Sequence, residues 1–530
     1  MKHKIYRIVC TALCCAPLLA TAQTGGKITS PQQLYEEGES LFRQKAFAAA
    51  MPPLQAFIKQ TDAEGAPVSA AGNKEEAEYM LVCAEYELRT PNSIELLREY
   101  LDTYPDTPHA NRICALIASA YFFEGKYDDA LAMFNSSRLD LLSNEERDDM
   151  TYRLATCYLK TGNVKEAAIW FETLRSTGSR YTADCTYYLA YIRYSQQRYD
   201  DALNGFLSLQ ENAKYEALVP YYIAEIYLIK KNYDKAEIVA QNYLSAYPNQ
   251  KYTGEMYRIQ GTADYHFGEY HEAIKAFGSY LKDNAEPAPR RDALYMLGMS
   301  YYRTGVYSQV PVTLGEVTAN KDALTQNAYL HMGLAYLQLA DKNKARMAFE
   351  QAAASDADLK IKEQASYNNA LCIHETSYSA FGESVTVFEN FLNEFPNSAY
   401  ADKVSSYLIE VYMNTRSYDA ALKSIERITH PGRAILEAKQ KILFQLGTQS
   451  FANTQFEQAI GCFNQSIALG GYNLQTKADA LYWRGESYYR LNRMQEAARN
   501  FNDYQPRIRS TMLAASPQVI DTSSPLLIST

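Results

Sequence analysis

The sequence predicts an all-α fold, a right-handed α-solenoid of about thirteen helical hairpins. Three observations lead to this prediction. A small residue, usually alanine, returns every 34 to 39 residues along most of the 530-residue chain. A large apolar residue follows it by four positions in nearly every repeat, and an aromatic residue precedes it by three positions in many. Glycine-containing turns lie just upstream. An internal repeat of this length is typical of solenoid proteins.

The repeat contains two helices, because apolar spacings of three and four residues mark one face of a helix. A second small residue lies upstream of the first, with a tyrosine three positions after it, as in Ala118/Tyr121 and Gly298/Tyr301. Both small residues are expected where the two helices approach most closely. The first series is Ala130, Ala167, Ala202, Ala236, Ala273, Val310, Ala345, Ser384, Ala421, Ala459 and Ala497.

The repeats are predicted to cover residues 34–504. One hairpin buries too little apolar surface to fold alone, so neighbouring hairpins must share a core. The small and polar segment 59–75 is expected to be a long loop between the first two hairpins. Gln505-Pro506 is expected to end the last helix, which leaves residues 505–530 as an irregular tail.

Residues 1–22 have the pattern of an export signal. A basic stretch (2–7) precedes an apolar one (8–20), and Ala20-Thr21-Ala22 offers a small-x-small cleavage site. The predicted location is therefore the periplasm. The cysteines of this segment lack the small preceding residue of a bacterial lipoprotein site, which favours a mature chain beginning near Gln23. A lipid anchor, with attachment to the outer membrane, remains the alternative.

The cysteines beyond residue 22 are widely spaced and include no CxxC pair, so no metal cluster is expected. Export permits disulfides, and a bridge between Cys157 and Cys185 is one interpretation. The favoured interpretation is that all six are small buried apolar residues. They are Cys83, Cys114, Cys157, Cys185, Cys372 and Cys462.

The repeated pattern resembles the tetratricopeptide repeat, whose signature is small–x–x–Tyr, then Tyr–x–x–Ala, then Phe. Single repeats depart from it: Arg193, Asp264 and Ser450 replace the expected tyrosine of the first helix. The resemblance implies a solenoid that binds other proteins along a concave surface lined by the first helices.

A finer resemblance concerns three connectors in which an aromatic-Pro pair is followed by a polar stretch and a new helix. They begin at Tyr104-Pro105, Tyr247-Pro248 and Phe395-Pro396. This is similar to the Gram-negative envelope branch of the family, which includes the barrel-assembly lipoprotein and the Tol–Pal-associated repeat proteins. Proline also ends a helix for purely local reasons.

Few residues point to catalysis. The sequence lacks a P-loop, GxGxxG, GxSxG or HExxH motif. Its one histidine–carboxylate cluster, around His266 and His271, is expected at an exposed hairpin turn. We therefore predict no enzyme activity, no cofactor and no metal; a metallohydrolase using these histidines is the remote alternative. An excess of 61 acidic over 52 basic residues disfavours nucleic acid as a partner, and no apolar stretch is long enough for a transmembrane helix.

Tyrosine is unusually frequent, with 45 residues against 20 phenylalanines and 2 tryptophans. Tyrosine combines an apolar ring with a hydroxyl, which suits recognition of peptides or sugars. The opposing interpretation is that these rings pack between helices. Six tyrosines three positions before the small residue of the first helix are the predicted ligand-binding residues of the concave groove: Tyr152, Tyr187, Tyr221, Tyr295, Tyr367 and Tyr482.

Two functions follow from these patterns. The favoured one is a non-enzymatic exported scaffold that binds envelope proteins or peptide segments in the groove. The other is a carbohydrate-binding envelope protein for glycan uptake or cell-wall metabolism. The groove lacks the regular Lys/Asn lining of a clamp for acidic peptide termini, so a cochaperone role is not expected.

Overall fold

The structure is a computed structural model that describes residues 30–62, 72–283, 289–376 and 382–511, with side chains as far as 504. Within these residues it contains 26 α-helices, which form thirteen antiparallel pairs in chain order. The predicted all-α fold of helical hairpins is therefore confirmed. The chain divides after Asn212 into two compact bodies, and each body has its own buried core.

The N-terminal body contains the first five hairpins and one short 3-10 turn, Leu139–Leu141. Its helices are α1 (Pro31–Arg43), α2 (Phe47–Thr61), α3 (Lys74–Glu87), α4 (Ser93–Thr103), α5 (Ala110–Phe123), α6 (Tyr127–Asn135), α7 (Asn144–Lys160), α8 (Val164–Ser176), α9 (Thr182–Ser195) and α10 (Tyr199–Leu207).

The C-terminal body contains the other eight hairpins. Its helices are α11 (Val219–Ile229), α12 (Tyr233–Ala246), α13 (Thr253–Phe267), α14 (Tyr270–Asp283), α15 (Arg291–Arg303), α16 (Val310–Gly315), α17 (Ala323–Gln338), α18 (Lys342–Ala353), α19 (Leu359–Thr376), α20 (Glu383–Glu394), α21 (Ala401–Thr415), α22 (Tyr418–Glu426), α23 (Arg433–Ala452), α24 (Phe456–Ala468), α25 (Leu474–Arg490) and α26 (Met494–Thr511).

The small residues lie at the closest approach of the paired helices. A Cβ atom added to Gly298 on α15 would lie 2.4 Å from Leu314 on α16, and one added to Gly447 on α23 would lie 2.4 Å from Phe463 on α24. Leu314 and Phe463 are the large residues that follow the small residue of the second helix by four positions. The two repeated positions of the sequence are therefore direct neighbours, and a larger side chain would force the helices apart.

Each hairpin turn in the described residues contains one residue in the left-handed backbone region. Glycine occupies this position in four turns, at Gly125, Gly162, Gly268 and Gly305. The other eight turns hold a residue with a side chain: Lys45, Arg89, Gln197, Lys231, Ala340, Arg416, Thr454 and Asn492. The turn geometry is thus more regular than the turn sequence.

Two predicted boundaries were wrong. The loop expected at 59–75 is shorter, because α2 continues to Thr61 and α3 begins at Lys74. The tail expected to be irregular from residue 505 is helical as far as Thr511. A proline removes only one backbone donor of a helix, so a helix that is already packed can continue past Pro506. The predicted export signal (1–22) and residues 512–530 lie outside the described residues.

None of the described helices is both long enough and apolar enough to cross a membrane.

Candidate functional site

The six predicted groove tyrosines lie on first helices, as expected, but their environments differ. Tyr482 on α25 is 39% exposed, whereas Tyr367 on α19 is only 2% exposed. Tyr367 belongs to the core of the C-terminal body, so its prediction as a ligand-binding residue was wrong. The other four are half-buried.

Three of the six tyrosines stack on the N-cap residue of the first helix of the next hairpin. The ring of Tyr152 lies 4.4 Å from that of Tyr181, at an interplanar angle of 12°. Tyr221 stacks on Tyr252 at 4.5 Å and 11°, and Tyr367 stacks on Tyr400 at 4.3 Å and 13°. We call these three pairs the inter-hairpin stacks: Tyr152–Tyr181, Tyr221–Tyr252 and Tyr367–Tyr400. Their ring faces are occupied, so these tyrosines hold neighbouring hairpins together.

The aromatic-Pro connectors have a role in these stacks. Each connector ends at an aromatic N-cap residue of the following first helix: His109 before α5, Tyr252 before α13 and Tyr400 before α21. His109 makes a fourth stack, with Tyr79 of α3, at 3.6 Å and 7°. The connector motif therefore has a structural explanation in this chain.

The remaining predicted residues lie in other aromatic groups. Tyr187 on α9 lies beside Tyr188, with ring centroids 5.4 Å apart. Tyr482 on α25 packs against Phe501 at 5.7 Å. Tyr295 on α15 is half-buried, and burial raises the pKa of its hydroxyl to about 12, so this hydroxyl remains a hydrogen-bond donor at neutral pH.

A cleft of about 490 Å³ in the N-terminal body was not predicted from the sequence. It extends across α3, α5 and α7, the first helices of three successive hairpins. Leu116 and Met150 form a buried apolar floor. The last residue of α5, Phe123, stands at the edge of the cleft with 56% of its surface exposed. We call this site the Phe123 cleft.

Two guanidinium groups hold the Phe123 ring. Arg89, in the left-handed turn after α3, lies 5.2 Å from the ring centroid, and Arg153 of α7 lies 4.9 Å from it. An arginine over an aromatic face is attracted by the ring quadrupole. Arg153 also donates to Ser119, a fully buried hydroxyl that accepts a second hydrogen bond from Tyr86 at 2.8 Å. The apolar ring is thus presented to solvent in a fixed position.

The acidic residues of the cleft are mostly neutralised within the protein. Glu146 accepts a 2.8 Å hydrogen bond from Arg112, and Asp149 pairs with Arg180 at 2.5 Å. Buried or partly buried charges require such partners. The apolar ring and floor are therefore the features of the Phe123 cleft that favour a ligand, while the charged wall fixes its shape.

Comparison with protein families decides the identity of the repeat. Family models described as tetratricopeptide repeat match residues 115–181, 260–308 and 444–511, and a second such model matches 326–359. The matches fall in both bodies and include both helices of several hairpins. The chain therefore contains tetratricopeptide repeats.

Solved structures of tetratricopeptide-repeat proteins are among its matches. One from Parabacteroides merdae is 16% identical, with a TM-score of 0.33, and the match covers 49% of this chain and 99% of that one. The C-terminal part of a repeat protein from Cytophaga hutchinsonii is also 16% identical, with a TM-score of 0.35, covering 47% of this chain and 97% of that one. The P58(IPK) repeat domain is 13% identical, with a TM-score of 0.25, covering 66% of this chain and 99% of that domain. No curated protein matches the sequence.

Described histidines and cysteines of this chain have structural neighbours. His266 stacks on Tyr233 at 4.1 Å, and burial lowers the pKa of its ring. In the described part of the chain, no group of three or more acidic, histidine or cysteine side chains is arranged to hold a metal ion. The six described cysteines are unbridged, and burial raises the pKa of the Cys157 and Cys185 thiols to about 12.

Phe123 was not predicted from the sequence because the repeat consensus explains only the first aromatic residue of the pair Phe122-Phe123. The neighbouring Phe122 packs against the core of the N-terminal body. A second large apolar residue immediately before a Glu-Gly turn has no core position left in a tetratricopeptide repeat. This additional aromatic residue before the turn is the feature of the sequence that could have indicated an exposed ring.

Proposed function

We propose that this protein is an exported, non-enzymatic scaffold of the bacterial cell envelope that binds segments of other proteins on its first helices. The tetratricopeptide repeats support an interaction scaffold. The export-signal pattern at residues 1–22 supports a periplasmic location, and the aromatic-Pro connectors are consistent with an envelope protein that associates with the outer membrane.

The observation that supports a binding site best is the Phe123 cleft. Large apolar rings that are exposed and rigidly held are common anchors at protein interfaces. The Phe123 ring is held between Arg89 and Arg153, so little conformational entropy is lost when a partner covers it. The cleft extends over three hairpins, which suits an extended polypeptide segment rather than a compact small molecule.

A crosslinking pull-down from native cells with the whole chain as bait tests this proposal. We expect at least one envelope protein to be captured, and Phe123→Ala to weaken its binding by roughly 10- to 100-fold, as for an interface anchor. Ile169→Ala is the matched control, because Ile169 is 57% exposed in the same body but lies on a second helix, α8.

The control separates a specific cleft from general hydrophobicity. Equal losses in Phe123→Ala and Ile169→Ala, with both variants folded by circular dichroism, would contradict the cleft as the binding site. Capture of no envelope protein by the unaltered chain would contradict the scaffold itself. Cell fractionation that finds the chain in the cytoplasm would contradict the exported location.

A further inference from the structure

A second cleft of the N-terminal body, of about 370 Å³, is lined by residues of α8, α9 and α10. Thr186, Leu189 and Arg193 lie on one side of α9, because residues three and four positions apart share a helix face. The second helices α8 and α10 contribute the rest of the lining. It shares no residue with the Phe123 cleft. We call this site the arginine cleft.

Three arginines line the arginine cleft. Arg193 occupies the position where the repeat signature has a tyrosine, Arg175 lies near the end of α8, and Arg198 is the N-cap residue of α10. Glu172 of α8 accepts a hydrogen bond from Arg175 and lies 3.9 Å from Arg193. Arg198 pairs with Asp201 at 2.5 Å. Three guanidinium groups thus face two carboxylates, which leaves one positive charge in excess.

Some of the guanidinium N–H groups are not used by these carboxylates. At 3.9 Å, the Arg193–Glu172 pair is too long for a hydrogen bond. The Nε atom of Arg175 is buried without a hydrogen-bond partner among the described residues. Asn204 adds an amide group to the lining. Because a buried donor without a partner is unfavourable, these groups favour an anion that accepts several hydrogen bonds.

The hydroxyl groups of the arginine cleft already donate their hydrogens to the backbone. Thr186 donates to the Thr182 carbonyl at 2.8 Å, and Ser208 donates to the Gly205 carbonyl at 2.7 Å. A hydroxyl group has one hydrogen and two lone pairs. Towards a ligand, therefore, these two groups accept hydrogen bonds, and they are suited to hydroxyl groups of that ligand.

A phosphate monoester matches this arrangement better than a carboxylate. It offers three strong acceptor oxygens to donors that come from different helices. A carboxylate, by contrast, is satisfied by a single guanidinium group through two parallel hydrogen bonds. Guanidinium groups also match the geometry of phosphate oxygens. The acceptor hydroxyls of Thr186 and Ser208 indicate in addition that the organic part of the ligand carries hydroxyl groups.

We propose that the arginine cleft binds a phosphate monoester on a hydroxylated carrier, either a soluble sugar phosphate or the phosphorylated sugar of a glycolipid. Arg193 is the anchor, and Arg175 and Arg198 flank it. Thr186 and Ser208 accept hydrogen bonds from hydroxyl groups of the carrier. This ligand site is separate from the Phe123 cleft and goes beyond the proposed scaffold function.

Isothermal titration calorimetry with the purified full chain tests the inference, with glucose 6-phosphate as the probe. We expect glucose and glucuronate to bind at least about tenfold more weakly, because one lacks the anion and the other carries a carboxylate. Inorganic phosphate should also bind more weakly than the probe, because it lacks the carrier hydroxyls. Salt at about 0.5 M should weaken binding of the probe, because it screens the charges.

Two substitutions of Arg193 separate binding from folding. We expect Arg193→Gln to weaken binding of glucose 6-phosphate by at least about tenfold, as for the loss of a charged hydrogen-bond donor. Arg193→Tyr restores the signature residue of the repeat, so it should abolish binding while the melting temperature is kept or raised. Arg43→Gln is the matched control: Arg43 lies in the same body, outside the cleft, and pairs with Glu39 at 2.6 Å. Its affinity should stay within about twofold of the unaltered chain, because distant sites act independently.

Cosedimentation with phosphatidylcholine vesicles that contain monophosphoryl lipid A identifies the source of the phosphate. Binding of glucose 6-phosphate without the vesicles would support a soluble ligand. Binding of the vesicles, lost in Arg193→Gln and absent with phosphatidylcholine alone, would support a glycolipid.

Three results would overturn the inference: no binding of either probe, affinity for glucuronate equal to that for glucose 6-phosphate, or equal losses in Arg193→Gln and Arg43→Gln. Capture of an envelope partner through the Phe123 cleft is measured separately, so either proposal can fail without the other.

Discussion

Tyr367 and Tyr295 occupy the same position of the repeat, yet one is buried and the other is only half-buried. The difference arises in the next hairpin. The N-cap residue of the first helix after Tyr367 is Tyr400, whose ring stacks on Tyr367. The N-cap residue of the first helix after Tyr295 is Asp322, whose carboxylate accepts a hydrogen bond from the Thr325 amide of α17. A residue about thirty positions away thus decides whether a groove tyrosine is structural or accessible.

The two arrangements also stabilise the junction between hairpins differently. A stacked pair removes two large rings from water and adds a favourable ring–ring geometry. The Asp322–Arg291 pair at the other junction is partly exposed to solvent, and such pairs contribute at most about 1 kcal/mol. Junctions closed by aromatic stacks are therefore expected to be firmer than the junction after Tyr295.

The largest expected effect comes from removing the two rings. We expect Tyr367→Ala to lower the free energy of unfolding of the C-terminal body by about 3–5 kcal/mol, as for other fully buried aromatic residues. Tyr295→Ala should cost about 1–2 kcal/mol, because that ring is only half-buried. Urea unfolding, followed by tryptophan fluorescence, measures both losses of unfolding free energy. Native-state hydrogen exchange provides a second measurement. Equal losses would contradict the distinction between structural and accessible tyrosines.

An intermediate effect is expected where the repeat tyrosine is replaced by an acid. Asp264 on α13 is 2% exposed, and one of its carboxylate oxygens has no hydrogen-bond partner among the described residues. Burial, with Glu237, Glu269 and Glu272 nearby, raises its pKa to about 7. Between about pH 4 and 7 the folded protein therefore keeps the Asp264 carboxyl group protonated, whereas the unfolded chain has released that proton.

Stability from this group is complete below its ordinary pKa and is lost as the pH rises through about 7. We expect about 2–4 kcal/mol of stability to be lost across this interval, since each pKa unit corresponds to about 1.4 kcal/mol. Asp264→Asn cannot ionise, so its advantage over the unaltered chain should grow from pH 5 to pH 8. A constant difference between the two proteins across this range would show that Asp264 does not titrate as proposed.

The smallest expected effect concerns single hydroxyl groups. The Tyr367 hydroxyl is buried without a hydrogen-bond partner in the described residues, so Tyr367→Phe should leave stability unchanged or raise it by up to about 1 kcal/mol. The Tyr412 hydroxyl is also buried, but it bonds Ser424 at 2.5 Å, and Tyr412→Phe should cost about 1–2 kcal/mol. Thermal melting of the two variants checks this; a loss in Tyr367→Phe equal to that in Tyr412→Phe would be the contrary result.

The fold could be predicted because its information is local and repeated. The small residues at Gly298 and Ala273 and the turn at Gly268 each restrict only their own hairpin, and thirteen repetitions make the pattern unambiguous. The binding surfaces depend on contacts between hairpins. Whether Tyr152 or Tyr367 is accessible depends on a ring in the next repeat, and the position of Phe123 depends on arginines from two other hairpins. These partners have no fixed place in the repeat pattern.

The left-handed turn residues have a consequence for how this protein could be improved. A side chain in this backbone region costs roughly 1 kcal/mol relative to glycine, although glycine also gives the unfolded chain more freedom. Substitution could therefore stabilise turns such as those at Lys231, Ala340 and Thr454. Glycine or asparagine at these sites, which lie outside the Phe123 cleft, offers a route to a more heat-resistant protein whose cleft is unchanged.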